Sequence, residues 1–331
     1  MASSAPMAAP MRVTVLMPLR DDWASAAELI RRIDRTFGAY PWILSVVLVD
    51  DGSVQPCTTP DFQSDYSVVR SIRVLRLRRN IGHQRAIAVG LVHLAQAVSC
   101  DAVLVMDADG EDTPDGALQL LREFSEIHHG AKAVFAQRSR RTESLVFKVS
   151  YKLFKILHRL LTGISVRVGN FSVFPSGYLS TLIVMSELWN HYAAAVFRSG
   201  LPFTTTPIPR GYRIAGSSRM NFVSLVAHGM SAISVFADVV GVRMLIASMA
   251  GSFMAVLGVF SVVAVRLFTD RAVPGWATYT IGLLIVILIQ FVAIATSFTF
   301  TMLSNRAALS FVPLRDCEVF VLESVEVYSV D

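Results

Sequence analysis

The chain has 331 residues, of which 53% are hydrophobic and only 17% are charged, and its formal net charge is +5. Because soluble domains average roughly 25% charged residues, this composition excludes a disordered chain and indicates that part of the protein lies outside water. Cys57, Cys100 and Cys317 form no CxxC pair and no Cys/His cluster, so we expect neither a disulfide framework nor a zinc site. The distribution of charge along the chain also argues against nucleic acid as a partner.

Short β-branched runs alternate with helical patterns over residues 12–136. Runs that are apolar on both faces and separated by helices are typical of a mostly parallel sheet with helices on both sides. The sequence therefore predicts an α/β fold whose ligands bind beyond the carboxyl ends of the strands. The predicted strands are Arg12–Pro18, Leu44–Asp50, Ile72–Leu77, Ala102–Met106 and Ala131–Ala136, and the predicted helices are Ala24–Phe37, His83–Val98 and Gly116–His128.

Five arginines lie within the third predicted strand and directly before and after it. Their alternation predicts a solvated face, and contact with anionic lipid is the alternative. These arginines are Arg70, Arg73, Arg76, Arg78 and Arg79.

Acidic residues follow three of the predicted strands. Asp21 and Asp22 follow the first strand, Asp50 and Asp51 lie at the end of the second, and the segment 107–112 follows the fourth. A single acidic turn usually caps a helix or lies in solvent, but three at one edge of a sheet would repel one another unless a cation or a hydrogen-bonding ligand compensated them. Mg²⁺ or Mn²⁺, which take oxygen ligands, would fit. The sequence contains no GxGxxG and no GxxxxGK[ST], so neither a dinucleotide fold nor a P-loop is expected.

Two long segments without charge lie in the last third of the chain. Met244–Val265 would span roughly 33 Å at about 1.5 Å per residue, which is enough to cross a hydrocarbon core of about 30 Å. The second segment is Ala272–Asn305, and Trp276 near its start is a residue type that favours the membrane interface. Because the connection Phe268–Gly275 is short, the sequence predicts a hairpin of two transmembrane helices within residues 243–304.

The segments that flank this hairpin also have recognisable patterns. Basic residues outnumber acidic ones before residue 244, which favours the cytoplasmic side of an inner or plasma membrane for the soluble part. Residues 220–242 have apolar positions at helical spacing, which predicts either an amphipathic juxtamembrane helix on the bilayer surface or a helix packed on the soluble domain. Residues 305–331 form a cytosolic tail in which apolar and acidic residues alternate, and this predicts a short strand that returns to the soluble domain.

The segments at the strand ends resemble those of a known family. VDDGS follows the second strand, RNIGHQRAIAVGL spans the start of the second helix, and MDADGEDTPD follows the fourth strand. Together with the C-terminal hairpin, they resemble the family 2 glycosyltransferases of the GT-A fold, and most closely the polyprenyl-phosphate glycosyltransferases of the dolichyl-phosphate mannose synthase and bactoprenol glucosyltransferase type. The likeness extends from about Arg12 to Met302. It implies a cytosolic GT-A catalytic domain at residues 1–219 that transfers a hexose, with inversion and with a divalent metal, from a nucleotide diphosphate sugar to a membrane polyprenyl phosphate.

The resemblance also implies roles for individual residues. Asp22 stands where the family usually has Glu, which places a shorter carboxylate at the nucleotide base. Glu111 stands where the family usually has Gln, which keeps an oxygen ligand for the metal and adds a charge. Gly110 stands where Leu is common. The implied nucleotide-binding residues are Pro18, Asp22, Val49, Asp51, Asp107 and Ala108, the implied ligands of Mg²⁺ or Mn²⁺ are Asp109 and Glu111, and the residues implied to act at the departing diphosphate are Asp109, Arg138, Arg213 and Arg219.

Two alternatives remain at this stage. Transfer to a hydroxyl acceptor, such as a lipid-linked saccharide, requires a general base, and Glu187 and Asp112 are the nearest candidates, although we expect a helix-cap or packing role for both. A non-catalytic membrane module would instead bind a nucleotide sugar or recruit a flippase partner. Homo-oligomers are common in the resembling family, and the residues themselves do not establish one.

Overall fold

The computed structural model describes residues 10–55, 57, 59–138, 156, 159–163, 168–215, 229–269, 275–307 and 310–330. The chain forms two compact units. The sheet unit comprises Met1–Lys148, Val166–Val235 and Phe311–Asp331, and the hairpin unit comprises Val149–Ser165 and Phe236–Ser310. The chain therefore returns to the sheet unit after the hairpin.

The sheet unit is built on eight strands. They are β1 (Met11–Leu19), β2 (Trp42–Asp50), β3 (Val69–Leu77), β4 (Ala102–Val105), β5 (Ala133–Arg138), β6 (Val168–Pro175), β7 (Phe203–Ile208) and β8 (Val321–Ser329). Their order across the sheet is β7-β5-β6-β4-β1-β2-β3-β8. The pairs β1–β2, β1–β4, β2–β3 and β5–β7 are parallel, and the other three pairs are antiparallel. The predicted α/β class with a mostly parallel sheet is confirmed.

Among the described residues, the sheet unit also contains six helices, and two further long helices form the hairpin unit. The helices are α1 (Trp23–Phe37), α2 (His83–Ala97), α3 (Pro114–Arg122), α4 (Leu179–Leu182), α5 (Tyr192–Arg198), α6 (Ala237–Phe268), α7 (Trp276–Ala307) and α8 (Pro313–Asp316). Short 3₁₀ turns lie at Thr59–Phe62, Ser176–Tyr178, Ser186–Trp189 and Glu318–Phe320, and a π-helical turn lies at Glu123–Ile127.

The central strands are buried on both faces, which explains their continuous apolar sequence. Val15 and Leu16 point to opposite faces of β1, and neither is exposed to solvent. Val15 belongs to the apolar cluster that contains Ile30 of α1, whereas Leu16 belongs to the cluster that contains Ile87 of α2. The carboxyl ends of these strands are therefore held in place by a core that is packed on both faces of the sheet.

The five predicted strands and three predicted helices of the first 138 residues are present, and their bounds differ by a few residues. The clearest error is at the end of α3, which stops at Arg122 and continues as the π-helical turn instead of running to His128. Two strands were not predicted. Gly169 and Asn170 weaken the strand pattern of β6, and β7 carries a proline and only a short apolar pattern.

The C-terminal tail forms the last strand of the sheet, as its alternation predicted. β8 pairs antiparallel with β3. Glu323 and Glu326 on β8 form ion pairs with Arg76 and Arg73 on β3. Two of the arginines that were predicted to form a solvated face therefore form ion pairs with the tail, while their side chains stay partly exposed to solvent.

The hairpin unit contains two long helices, α6 and α7, which pack along their length. The buried residues of α6 are seven apart, the repeat of a left-handed coiled contact, and they are Gly241, Ser248, Ala255 and Val262. A Cβ atom on Gly251 would lie 2.5 Å from the ring of Phe291, and one on Gly258 would lie 3.2 Å from Leu284. Large side chains of α7 thus fill spaces that the small residues of α6 leave.

Both long helices have the length and composition needed to cross a membrane. The candidate spans are Ala237–Phe268 and Trp276–Ser304, and only 17% and 0% of their most apolar windows are buried within the described residues. A core helix of a soluble protein would be mostly buried. Residues 220–228 of the predicted juxtamembrane segment lie outside the described residues, and residues 229–234 are helical.

Candidate active site

The loops that follow β1 and β2 are tied together by one aspartate. The Oδ1 atom of Asp21 accepts hydrogen bonds from the backbone N–H groups of Val54, at 2.7 Å, and Gln55, at 3.2 Å. Its own N–H donates to Oγ of Ser53 at 2.8 Å. Asp21 has a φ of 54°, which is uncommon for a residue other than glycine. This strained loop fixes the position of Asp22 at the start of α1.

Asp51 ties the end of β2 to the start of α2. Its Oδ1 atom accepts a hydrogen bond from the N–H of Ile81 at 2.7 Å, and its Oδ2 atom accepts one from Gly82 at 2.9 Å. The side chain is buried, and this burial raises the pKa of Asp51, although the two N–H donors oppose the shift. The predicted neighbours Pro18 and Val49 pair directly across β1 and β2, and both are buried.

The turn after β4 is closed by its own carboxylates. The N–H of Asp107 donates to Oδ2 of Asp112 at 2.9 Å, and the N–H of Glu111 donates to Oδ1 of Asp109 at 2.9 Å. Asp112 is only 4% exposed, and Ala108 is buried as well. Asp112 therefore holds the turn in shape, which agrees with the packing role expected for it.

A second loop, residues 209–215, lies directly on this turn. The N–H of Gly211 donates to the carbonyl oxygen of Glu111 at 2.8 Å, and the N–H of Ile214 donates to that of Asp109 at 2.9 Å. Two glycines allow this close approach. A Cβ atom on Gly110, whose φ is +88°, would lie 2.6 Å from Ile214, and one on Gly211 would lie 2.4 Å from Thr113. The glycine at position 110, where the resembling family often has leucine, thus has a physical reason.

The 209–215 loop brings two arginines to the acidic turn. The guanidinium of Arg213 places Nη2 3.4 Å from Oδ2 of Asp109 and 3.6 Å from Oδ2 of Asp22. Arg210 forms an ion pair with Glu111. Arg213 therefore connects the loop after β1 with the turn after β4.

Each of these arginines also has an unused donor. The Nε atoms of Arg210 and Arg213 are buried, and neither has a hydrogen-bond partner among the residues that the structure describes. A buried guanidinium N–H without an acceptor is costly, and a planar guanidinium matches the oxygens of a phosphate group. The cluster can therefore bind an anion that carries several phosphate oxygens.

The structure describes the other predicted residues to different extents. Arg138 is the last residue of β5, where only its backbone is described, and Arg219 lies outside the described residues. Glu187 accepts a hydrogen bond from Nε of Arg198 at 2.9 Å, so it belongs to a structural ion pair. Arg210 was missed, although its position three residues before Arg213 in RGYR was a signal that could have revealed it.

A buried polar network supports the first turn of α2 and was also not predicted. Nε2 of Gln84 donates to Oδ1 of Asn170 at 2.9 Å, and Oε1 of Gln84 accepts a hydrogen bond from the N–H of Tyr192 at 2.7 Å. The hydroxyl of Tyr192 lies 2.8 Å from that of Ser172. These bonds fix α2 against β6 and α5, and so they fix the N–H groups that hold Asp51.

The acidic turn offers part of a metal shell. Within the described ranges, no group of three or more His, Cys, Asp or Glu side chains is placed to hold a metal ion. Asp109 and Glu111 nevertheless present carboxylates on one turn, beside guanidinium groups suited to phosphate. Mg²⁺ and Mn²⁺ are commonly held by one or two carboxylates together with substrate phosphate oxygens, so the residues present fit such an ion when a diphosphate is bound.

Comparisons with known proteins agree on one family. The sequence profile described as Glycosyl transferase family 2 matches residues 14–182, just over half of the chain. The uncharacterized glycosyltransferase YkcC of Bacillus subtilis (strain 168) is 25% identical over 277 residues, which are 81% of each chain. The undecaprenyl-phosphate 4-deoxy-4-formamido-L-arabinose transferase of Salmonella choleraesuis is 25% identical over 291 residues, which are 86% of this chain and 85% of the relative.

Solved structures with a similar arrangement were also found. Mannosyl-3-phosphoglycerate synthase from Rubrobacter xylanophilus superposes with a TM-score of 0.49 at 16% identity, over 69% of this chain and 73% of that one. Glucosyl-3-phosphoglycerate synthase from Mycobacterium tuberculosis, in complex with Mn²⁺, uridine diphosphate and glucosyl-3-phosphoglycerate, superposes with a TM-score of 0.46 at 14% identity, over 70% and 80% of the two chains.

Proposed function

The chain belongs to glycosyl transferase family 2, and we propose that it transfers a hexose from a nucleotide diphosphate sugar to a membrane polyprenyl phosphate with inversion at the anomeric carbon. The observation that carries this proposal is the contact of Arg213 with both Asp22 and Asp109. It joins the loop where a nucleotide would lie to the turn where its diphosphate would lie. The acceptor class is supported by the relative whose name specifies undecaprenyl phosphate.

The donor site extends across the ends of β1, β2 and β4. Six residues define the nucleoside side, and the buried ones shape the pocket while the carboxylates accept hydrogen bonds from ribose or base. The guanidinium groups of Arg210 and Arg213 neutralise the diphosphate. We assign Arg138 and Arg219 to the same anion. The six nucleoside-side residues are Pro18, Asp22, Val49, Asp51, Asp107 and Ala108.

We assign the divalent ion, Mg²⁺ or Mn²⁺, to Asp109 and Glu111. When bound, the ion supplies positive charge close to the departing diphosphate. Glu111 forms an ion pair with Arg210 and Asp109 lies beside Arg213, so both carboxylates are held in place before an ion arrives. The same two arginines hold the phosphate oxygens, because their buried Nε–H groups need acceptors.

The transfer step needs no proton acceptor when the nucleophile is a phosphate. An oxygen of the polyprenyl phosphate attacks the anomeric carbon, the bond from that carbon to the diphosphate oxygen breaks, and the nucleoside diphosphate leaves with the electron pair. Arg213 stabilises the negative charge that develops on this leaving group. Asp112 and Glu187, the two candidate bases, are both engaged in structural contacts, and this favours a phosphate acceptor over a hydroxyl acceptor.

The hairpin would anchor the enzyme where its lipid acceptor lies. We propose that α6 and α7 cross an inner or plasma membrane and that the catalytic part, residues 1–219, lies in the cytoplasm with the tail 305–331. Residues 220–242 would connect the two at the membrane surface. The support is the length, apolar composition and low burial of both helices, together with the basic character of the chain before residue 244.

A donor panel tests the proposal. Purified protein in detergent is given undecaprenyl phosphate, Mg²⁺ or Mn²⁺, and labelled UDP-glucose, UDP-galactose, UDP-N-acetylglucosamine or GDP-mannose. We expect at least one donor to give a lipid-extractable sugar that is labile to mild acid, as a phosphodiester-linked sugar is. Tight nucleotide binding without turnover of any donor would instead indicate a non-catalytic module that recruits a partner such as a flippase.

A further inference from the structure

The segment 78–82 connects β3 to α2 and holds the carboxylate of Asp51. It does so through the backbone N–H groups of Ile81 and Gly82. The segment also packs on the loop that follows β2, because a Cβ atom on Gly52 would lie 2.6 Å from one of its backbone nitrogens. The side chains of its first three residues are exposed, so they do not anchor it in the core. The segment is therefore a wall of the proposed nucleoside side whose position depends on contacts with other parts of the chain.

The C-terminal tail contacts the 78–82 segment through Phe320. The N–H of Arg78 donates to the carbonyl oxygen of Phe320 at 2.9 Å, and the guanidinium carbon of Arg79 lies 5.9 Å from the centre of the Phe320 ring. A cation at this distance from an aromatic face is attracted to the ring. The tail is itself fixed at this point, because Cys317 is buried in the apolar cluster that contains Ile87 of α2, and β8 begins directly after Phe320. Phe320 therefore holds the start of the segment against an immobile part of the tail.

Phe320 belongs to an aromatic cluster that also contacts the start of α2. The ring of Trp189 stacks on that of Phe311, with centres 4.1 Å apart, and its centre lies 5.2 Å from that of Phe320. The guanidinium of Arg85, in the first turn of α2, lies 5.3 Å from the centre of the Trp189 ring. The cluster therefore contacts the chain just before and just after the two residues whose N–H groups hold the buried aspartate.

We propose that Phe320 and Trp189 are positioning residues for the nucleotide of the donor, and that they act through the 78–82 segment on Asp51 rather than by touching the substrate. A segment that is held before the ligand arrives need not be ordered on binding, and this raises affinity. Loss of the Phe320 ring loosens the segment, so its two N–H groups hold Asp51 less firmly. The inference rests on the donor site of the proposed function.

The effect falls on donor binding rather than on the transfer step. The proposed metal ligands lie on the turn after β4, and the arginines proposed to hold the diphosphate lie on the 209–215 loop. The ring contacts of the cluster are made with the 78–82 segment and the start of α2, so the groups that act on the leaving diphosphate keep their places when the ring is lost.

Substitution of Phe320 tests the inference, because F320L keeps an apolar side chain and the backbone hydrogen bond but removes the ring. Full-length protein in detergent is titrated calorimetrically with UDP and with GDP in the presence of Mn²⁺. We expect F320L to weaken binding of the nucleotide by about tenfold, the scale of a lost aromatic pair and a lost cation–π contact. The KM for the active donor should rise by a similar factor, whereas kcat should stay close to that of wild type. F320Y restores a ring and should bind as wild type does.

Amide hydrogen exchange locates the effect. Without nucleotide, the amides of Ile81 and Gly82 should exchange faster in F320L than in wild type, because the segment opens locally. The amides of β1 and α3 should keep the protection that they have in wild type.

Y328L is the matched control, since it removes a ring from the same tail at the other end of β8. Tyr328 pairs with Ile72 on β3, and its ring contacts that of Tyr66 at 4.9 Å. Nucleotide affinity in Y328L should equal that of wild type. If F320L does not fold, F311L loosens the same cluster and should weaken binding about threefold, as one stacked pair is lost.

The outcomes separate this inference from the proposed function. Equal nucleotide affinity in F320L and wild type, an equal loss in Y328L, or a loss confined to kcat would overturn the inference and leave the proposed transfer intact. Weaker nucleotide binding in F320L without turnover of any donor would support the inference and contradict the proposed transfer. A wild type that binds neither UDP nor GDP would overturn both.

Discussion

Gly110 lies against Ile214, and a Cβ atom at position 110 would lie 2.6 Å from Cγ1 of that side chain. The contact joins the acidic turn after β4 to the 209–215 loop, so it determines where Arg210 and Arg213 lie. The positive φ of Gly110, +88°, adds a second requirement for glycine. One small residue therefore controls the assembly of the anion site.

We expect G110A to impair the enzyme mainly through this loop. The left-handed backbone alone costs an alanine roughly 1 kcal/mol or more, and Ile214 must also move. The catalytic efficiency with the donor should fall at least tenfold, and the midpoint of thermal unfolding should fall slightly. G177A is the matched control, because Gly177 has open space around it, and it should behave as wild type. Equal rates for G110A and wild type would show that the loop contact is dispensable.

Arg213 is expected to act on the leaving diphosphate, and its removal also leaves Asp22 and Asp109 without a shared cation. Hydrogen bonds to charged groups contribute about 1.5–3 kcal/mol each. R213A should therefore lower kcat/KM about a hundredfold, and R213K, which keeps the charge but not the fork of donors, should recover only part of it. Steady-state rates with the active donor measure this. R122A, which breaks an exposed pair with Glu126, is the control and should be neutral.

The Arg210–Glu111 ion pair competes with a metal for the same carboxylate. We expect R210Q to tighten the binding of Mn²⁺ to the donor-free protein, whereas D109A should abolish it. E111Q should keep weaker binding, because an amide oxygen still ligates. Electron paramagnetic resonance of free Mn²⁺ gives these affinities without any turnover. Unchanged or weaker binding in R210Q would show that Glu111 serves Arg210 and not the ion.

The buried carboxyl of Asp51 should make the stability of the fold and the affinity for the donor depend on pH in opposite directions. Because burial raises its pKa, the folded protein takes up a proton at a higher pH than the unfolded chain does. Its contribution to stability is therefore fully present below the ordinary value of 3.8 and is lost as the pH rises through the raised pKa. Donor affinity should instead fall as the pH drops through that pKa, since the carboxylate is the hydrogen-bond acceptor.

The variant D51N separates these effects. Its unfolding free energy and its nucleotide affinity should both lose the pH dependence that wild type shows in this interval. Denaturant titrations and calorimetric binding at matched pH values provide the comparison. If wild type and D51N show parallel profiles, the carboxyl of Asp51 is not the titrating group.

The sequence predicted the parallel core well because β1, β2 and β4 are buried over most of their length and have largely continuous apolar sequences. Asp22, Asp51 and Asp109 were found because carboxyl ends of parallel strands meet at one edge. The loop 209–215 could not be placed in the same way. It reaches the acidic turn through two backbone hydrogen bonds and two glycine contacts, and a contact between residues a hundred positions apart leaves no periodic signal.

The sequence also does not show which charged residues pair with one another. The sequence indicates that carboxylates gather and that some counter-charge is needed, but it does not say which arginine supplies it. Arg213 was singled out only by the family resemblance, and Arg210, three residues before it in RGYR, was missed. Arg73 and Arg76 looked equally free in the sequence, and they pair with Glu326 and Glu323 because the tail returns as β8.

The most direct test of the proposed reaction compares two acceptors that differ only in the phosphate. Labelled donor is incubated with purified enzyme and either undecaprenyl phosphate or undecaprenol, with and without Mn²⁺, and sugar in the lipid phase is counted. We predict product only with undecaprenyl phosphate, only with the divalent ion, and not with D109A. Equal transfer to undecaprenol, or transfer that persists without any divalent ion, would contradict the proposed function.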